Sequence, residues 1–319
     1  MKIAFTTVSH FIGRSLIEKL VRTHHQVNLL VPYEFDIFPI GKDFLPLHLK
    51  NHITVIRGHL NDANAVSNLI KEVDIVFHFT SADTFPNKTS SIQPFLKNEV
   101  CGIQVLLEQM ERNDSEKRII YVSTGDVYGE AKVIPIPEKV RPSPLTPHLA
   151  ISIAAENLVL GYQVSGRVNA TIVRLFNPYG PGQSSQAIIP TIIEQVLLQP
   201  NVLLGNMHTV RDFVYVNDII DALLNIISKC NSIGEIMNIG SGKGIIIGTL
   251  AEKIMQISGV NRDILFDANR IRTDSKDIPK LVADISKAKR LLDWTPRITL
   301  VEGLSKTVNW FSRRLNWNH

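Results

Sequence analysis

The chain has 319 residues, enough for one large domain or for one domain plus a smaller lobe. Apolar residues make up 44% and charged residues 20%, and the net charge of +4 is spread along the chain, which argues against nucleic-acid binding. No apolar run reaches the roughly 18 residues of a membrane span, and "MKIAFTTVSHFIG" is interrupted too early for a secretion signal, so a cytoplasmic protein is expected.

The first 180 residues alternate short β-rich runs with amphipathic stretches. Strands are expected at 2–5, 26–31, 53–56, 73–79, 118–123 and 169–176, and helices near 12–23, 62–72, 92–112 and 148–165. Val- and Ile-rich strands separated by helices predict an α/β fold, a doubly wound parallel sheet of Rossmann type covered on both faces. Ligands in such sheets bind beyond the C-terminal ends of the strands. After "NPYGPG" (177–182) turns are denser. Helices near 186–199, 217–230, 247–258, 284–291 and 300–312, with a strand at 211–216, suggest a smaller C-terminal lobe over 181–319. The boundary near 180 is soft. Cys101 and Cys230 fall in helical patterns without metal-ligand spacing and read as buried thiols.

Seven segments in order carry a resemblance: "FIG" (11–13), "VFHFTSA" (76–82), "YVSTGDVYG" (121–129), "RLFNPYGPGQ" (174–183), "RDFVYVND" (211–218), "MNIGSG" (237–242) and "ADISKAKRLLDWTPRITLVEGLSKTVNWF" (283–311). In these the chain resembles an extended short-chain dehydrogenase/reductase of the NAD-dependent epimerase/dehydratase family, which acts on nucleotide sugars. The resemblance implies an NAD(P)-binding domain over 1–180 and a lobe for a UDP-, dTDP- or GDP-sugar. It also implies a homodimer through a four-helix bundle of the helices near 92–112 and 148–165; a heterodimer with an active relative is expected instead if catalysis is lost.

The resemblance places cofactor contacts at Thr7, His10, Phe11, Ile12, Gly13, His59, Leu60, Phe79 and Asn98. Several of these depart from the family pattern. Thr7 and His10 stand where the first turn has glycines, and only Gly13 remains. A Cβ at those places strains the turn or crowds the pyrophosphate, although a helix N-terminus near 11 still attracts an anion. Val31 and Pro32 end the second strand where an acidic residue usually holds the ribose, and His59 replaces an Asp facing the adenine.

The catalytic helix departs further. The family carries Tyr and, four residues on, Lys on one helix face. The Lys holds the ribose and lowers the Tyr pKa, and the Tyr takes the sugar hydroxyl's proton. Here those positions are His148 and Ser152. Ser152 supplies no positive charge, whereas His148 keeps an acid/base group of altered reach. Tyr128 and Lys132 repeat the spacing in a Gly-containing loop, where it has no facing geometry. Thr124 matches the residue that bonds the reacting hydroxyl. Gly125 and Asp126 stand where 4,6-dehydratases have an Asp–Glu pair.

The substrate half keeps more of the pattern. Asn177 matches a substrate-contacting Asn, and Arg211 an Arg that grips the diphosphate with its planar fork. A second phosphate Arg is expected at 274, which is Asp here, with Arg272 two residues upstream. Three readings follow. The first is a member that has lost hydride transfer and binds a nucleotide sugar or serves as a non-catalytic subunit. The second is an active epimerase, dehydratase or reductase with unusual NAD(P) contacts. The third is a non-redox acid/base enzyme using His148, Thr124 or Asp126 on a sugar-like ligand.

Overall fold

Runs such as "IVFHF" and "RIIYVST" have no polar face, so both sides of the strands they form must be covered. The computed structural model, which describes residues 1–7, 11–34, 47–80, 92–113, 116–270 and 277–315, bears this out. The strands are β1 (Lys2–Phe5), β2 (Gln26–Val31), β3 (Ile53–Arg57), β4 (Ile75–Phe79), β5 (Arg118–Thr124) and β6 (Asn169–Leu175), and the helices are α1 (Phe11–Arg22), α2 (Ala63–Leu69), α3 (Gln93–Leu96), α4 (Ile103–Asn113) and α5 (Pro147–Val164). A seventh strand, Ile236–Ile239, completes a parallel sheet of order seventh, β6, β5, β4, β1, β2, β3. Ile3 pairs with Val27 on one side and with Ile75 on the other, so β1 is central and the order reverses beside it.

The chain folds as two compact units: 1–127 with 146–174 and 223–237, and 128–145 with 175–222 and 238–319. In the first, Ala4, Val76, Ile119 and Ile172 of the sheet pack under Leu106, Met110, Ala155 and Val159 of α4 and α5. Burial of each Val, Ile, Leu or Met side chain among these stabilises by roughly 1.5–3 kcal/mol. α5 starts at the Thr146 N-cap, whose hydroxyl accepts from Leu149 N–H, with Pro147 at its first position. Between α3 and α4 a π-helical turn spans Lys97–Gly102. Leu60 packs against Gly102, where an added Cβ would come within 2.9 Å of the Leu60 side chain.

In the second unit the strand expected at 211–216 is two, Val210–Asp212 and Val214–Tyr215. The first pairs with Gly244–Ile246 and Lys280–Leu281, and the second with Pro178–Tyr179. The segment breaks at Phe213 because its two halves serve different sheets. Both cysteines are exposed rather than buried, and neither is in a disulfide. The helix before Cys230 stops at Ser228, and Cys230 opens a short 3-10 turn instead of closing the helix. Among the described residues no helix is long and apolar enough to cross a membrane.

Candidate functional site

The first unit presents the ends of β1, β4 and β5. Thr7 leaves β1 with its hydroxyl directed at Phe79 O, 3.4 Å away. Ile12 and Phe79 are buried in the core, Phe79 stacked on Phe5 with ring centroids 6.3 Å apart. Gly13 comes close to Phe79, where a Cβ would lie at an ordinary 3.8 Å, and Phe11 opens α1 half-buried. Leu60 is buried as well, so Ile12, Leu60 and Phe79 have only backbone to offer a ligand. Residues 8–10, with His10, lie outside the described residues, as do the 84–91 loop and 271–276 with Arg272.

At the end of β2, Val31 is buried and Arg57 Nη1 donates to Pro32 O at 3.2 Å. His59 Nε2 lies 3.4 Å from Glu34 Oε1, and its ring meets the edge of Tyr33 at 6.0 Å. The carboxylate at this strand end is thus Glu34, three residues beyond Val31. Its distance from the family position hid it in the sequence. Asn98 is exposed on the π-helical turn.

The helix α5 gives the sharpest geometry. Ser152 is fully buried, and its hydroxyl donates to His148 O at 3.3 Å, back along its own helix. His148 is half-buried, its ring 5.2 Å from that of Phe95. One turn on, Glu156 holds Arg174 in a buried fork with contacts of 3.2, 3.2 and 2.6 Å. Thr124, half-buried at the tip of β5, accepts the Asp126 N–H at 3.2 Å. Asp126 sits half-buried on the turn that follows.

Beneath this edge lies a polar tier that sequence reading did not identify. His78 Nδ1 is 2.7 Å from Thr6 Oγ1, and Nε2 is 3.4 Å from Glu99 Oε2. Tyr121 donates to the same oxygen at 3.3 Å and stacks on the His78 ring at 5.3 Å. Burial and the neighbouring Glu99 and Glu156 carboxylates push the Tyr121 phenol well up, so it stays a neutral donor. The signal was present: Glu99 sits at the helical phase of Phe95, Ile103, Leu106 and Met110, in the middle of an apolar stripe.

In the second unit, Asp212 is fully buried and accepts from Ser241 N–H (2.7 Å), Ser241 Oγ, Gly242 N–H (2.9 Å) and Ala283 N–H (3.1 Å). Burial raises its carboxyl pKa and these donors oppose the rise. Gly240 is needed here, since a Cβ would come within 2.7 Å of both Asp212 Oδ2 and Ala283 Cβ. Asn177 donates to Asp212 O at 3.1 Å. Arg211 donates to Ile278 O at 2.7 Å and to Val210 O at 3.1 Å, tying its strand to the segment after 276. Arg211 thus bonds the backbone at 210 and 278, while the Asp212 carboxylate serves Ser241, Gly242 and Ala283. Tyr128 buries its hydroxyl on Asn238 Oδ1 at 2.8 Å while Lys132 is exposed, so their spacing carries no catalytic pairing.

The sheet order and crossovers are those of a Rossmann-type doubly wound fold. The family model described as GDP-mannose 4,6 dehydratase matches residues 6–307. The chain is 31% identical, over 98% of both chains, to an uncharacterized UDP-glucose epimerase of Bacillus subtilis. It is 27% identical to a mouse dTDP-D-glucose 4,6-dehydratase, covering 100% of this chain and 91% of that one. Among solved structures, the Thermotoga maritima UDP-glucose 4-epimerase with UDP-glucose aligns with a TM-score of 0.84 at 27% identity, over 99% of this chain and 100% of that one. MoeE5 in complex with UDP-glucuronic acid and NAD aligns with a TM-score of 0.83 at 26% identity, over 98% and 100%. The chain belongs to the nucleotide-sugar epimerase/dehydratase family of extended short-chain dehydrogenases/reductases.

Proposed function

We propose that this chain binds a nucleotide sugar and does not transfer hydride. One observation carries the reading: Ser152, where the family has its Lys, is fully buried and spends its hydroxyl on the helix carbonyl of His148. No ammonium at that position holds a nicotinamide ribose or lowers the pKa of a neighbouring acid. Thr7 and the Val31–Pro32 strand end fit a dinucleotide equally poorly, the first by its bulk and the second because neither residue has a polar side chain for a ribose. The residues present therefore do not fit an NAD(P) poised for redox chemistry.

The substrate half supports the binding part of the reading. Arg211 stands on the strand Val210–Asp212, and the Asn177 side chain donates to the backbone of Asp212 on that same strand, whose carboxylate is held by Ser241, Gly242 and Ala283. The UDP-sugar complexes among the structural neighbours favour UDP-, dTDP- or GDP-sugars as ligand class. A second copy, or an active relative, pairing through α4 and α5 belongs to the same reading. α5 supports it by leaving Leu149, Ile153, Leu158 and Leu160 only partly buried and Val164 85% exposed.

The test is to incubate the chain with UDP-, dTDP- and GDP-sugars, with and without NAD or NADP, while following thermal unfolding and product formation. Stabilisation by one nucleotide sugar without epimerised, dehydrated or oxidised product is expected. Turnover dependent on NAD(P) would overturn the loss of hydride transfer, and no stabilisation by any of the three would overturn the ligand.

A further inference from the structure

The polar tier continues one step beyond His78 and Tyr121. These two are register partners on β4 and β5, and Thr80 N–H donates to Val122 O at 2.9 Å, so the pairing extends past Phe79. Side chains two residues on in a strand return to the same face, which puts the Thr80 and Ser123 hydroxyls side by side, on neighbouring strands about 4.8 Å apart. They share the face of His78 and Tyr121, nearer the strand tips, and Thr124, next along β5, points to the other face.

Thr80 is 8% exposed and Ser123 2% exposed, and both Oγ atoms are buried without a hydrogen-bond partner among the described residues. Thr80 lies close enough to the Tyr121 phenol to favour its ionised form, but outside hydrogen-bond geometry. The Ser152 hydroxyl is committed to its own helix. A buried hydroxyl without a partner is strongly disfavoured, and two adjacent ones rarely persist dry.

We propose that Thr80 and Ser123 together bind one buried water molecule, which joins the tips of β4 and β5 to the Thr6–His78–Glu99–Tyr121 tier. The site suits a water: each hydroxyl both donates and accepts, and an internal water needs two to four polar partners. The water extends the tier to the level of Thr124 and fixes the separation of the two strand tips. This inference stands on the first unit alone and does not depend on which ligand the protein takes.

Thr80→Val and Ser123→Ala decide the matter, because each removes a hydroxyl with little change of shape. If the hydroxyls hold a water, each variant lowers Tm by about 2–4 °C. The double variant then falls short of the sum, since both substitutions release the same molecule. A rise in Tm from either variant, or strict additivity, would overturn the proposal, since removing a truly unpaired hydroxyl stabilises. A crystal structure of the unaltered chain is expected to show one density peak within 3.2 Å or so of both Oγ atoms. A dry gap, or a direct bond from either hydroxyl to a protein group, would also overturn it.

Discussion

The end of β5 with α5 and the strand Val210–Asp212 answer one question in opposite ways. Both match family motifs, and both carry buried polar groups. Around Asp212 the polar atoms converge: one carboxylate gathers donors from Ser241, Gly242 and Ala283, and Asn177 bonds its carbonyl. Around α5 they have turned inward. Ser152 faces its own helix, and Glu156 and Arg174 satisfy each other. Glu156–Arg174 holds α5 against β6 whether or not position 152 carries a Lys.

The contrast can be broken or sharpened by experiment. The largest effect is expected at Glu156→Gln, which leaves the Arg174 guanidinium buried without its counter-charge. Unfolding in denaturant should show a loss of about 3–5 kcal/mol. Asp212→Ala strands several buried N–H groups and should cost about 3 kcal/mol, with nucleotide-sugar binding lost as Asn177 and Arg211 shift. A nucleotide sugar at 100 times its Kd should add about 2.7 kcal/mol to the unaltered chain. Ser152→Lys forces a long cationic side chain into a closed position and should destabilise by about 1–3 kcal/mol without creating NAD(P)-dependent turnover. Ser152→Ala, measured the same way, should stay within about 1 kcal/mol of the unaltered chain. A large effect of Ser152→Ala on ligand binding would mean that the helix position still serves a ligand.

Periodicity made the first unit legible. β1 and β2 fall at 2–5 and 26–31 as expected, and the other sheet strands expected there lie within two residues of their ends. These strands are apolar and separated by helices, so local and global signals agree. The seventh strand, Ile236–Ile239, and Pro178–Tyr179, Asn201–Leu204 and Asp263–Phe266 were not legible, because they are two to four residues long and lie in the turn-dense part of the chain. The helix expected over 62–72 is shorter, Ala63–Leu69, because Asp62 caps it and the chain turns at Ile70.

The site was legible where a motif names a residue and illegible where the side chain chooses its partner. Sequence alone marked position 152 as lacking a cation, but it could not show the hydroxyl turned back on His148. It could not show that strand alternation sends Arg211 to Ile278 O and the Asp212 carboxylate to Ser241. His78, Glu99 and Tyr121 come from three separate segments, and their meeting depends on strand register and on the π-helical turn.

The most direct test of the proposed loss of hydride transfer is the coenzyme content of the purified protein. The chain would be denatured, and NAD, NADH, NADP and NADPH released per chain quantified by mass spectrometry. With Ser152 closed against its helix and Thr7 in the first turn, far less than one dinucleotide per chain is expected, and none gained after incubation with NAD and desalting. One equivalent per chain, retained through purification, would contradict the account.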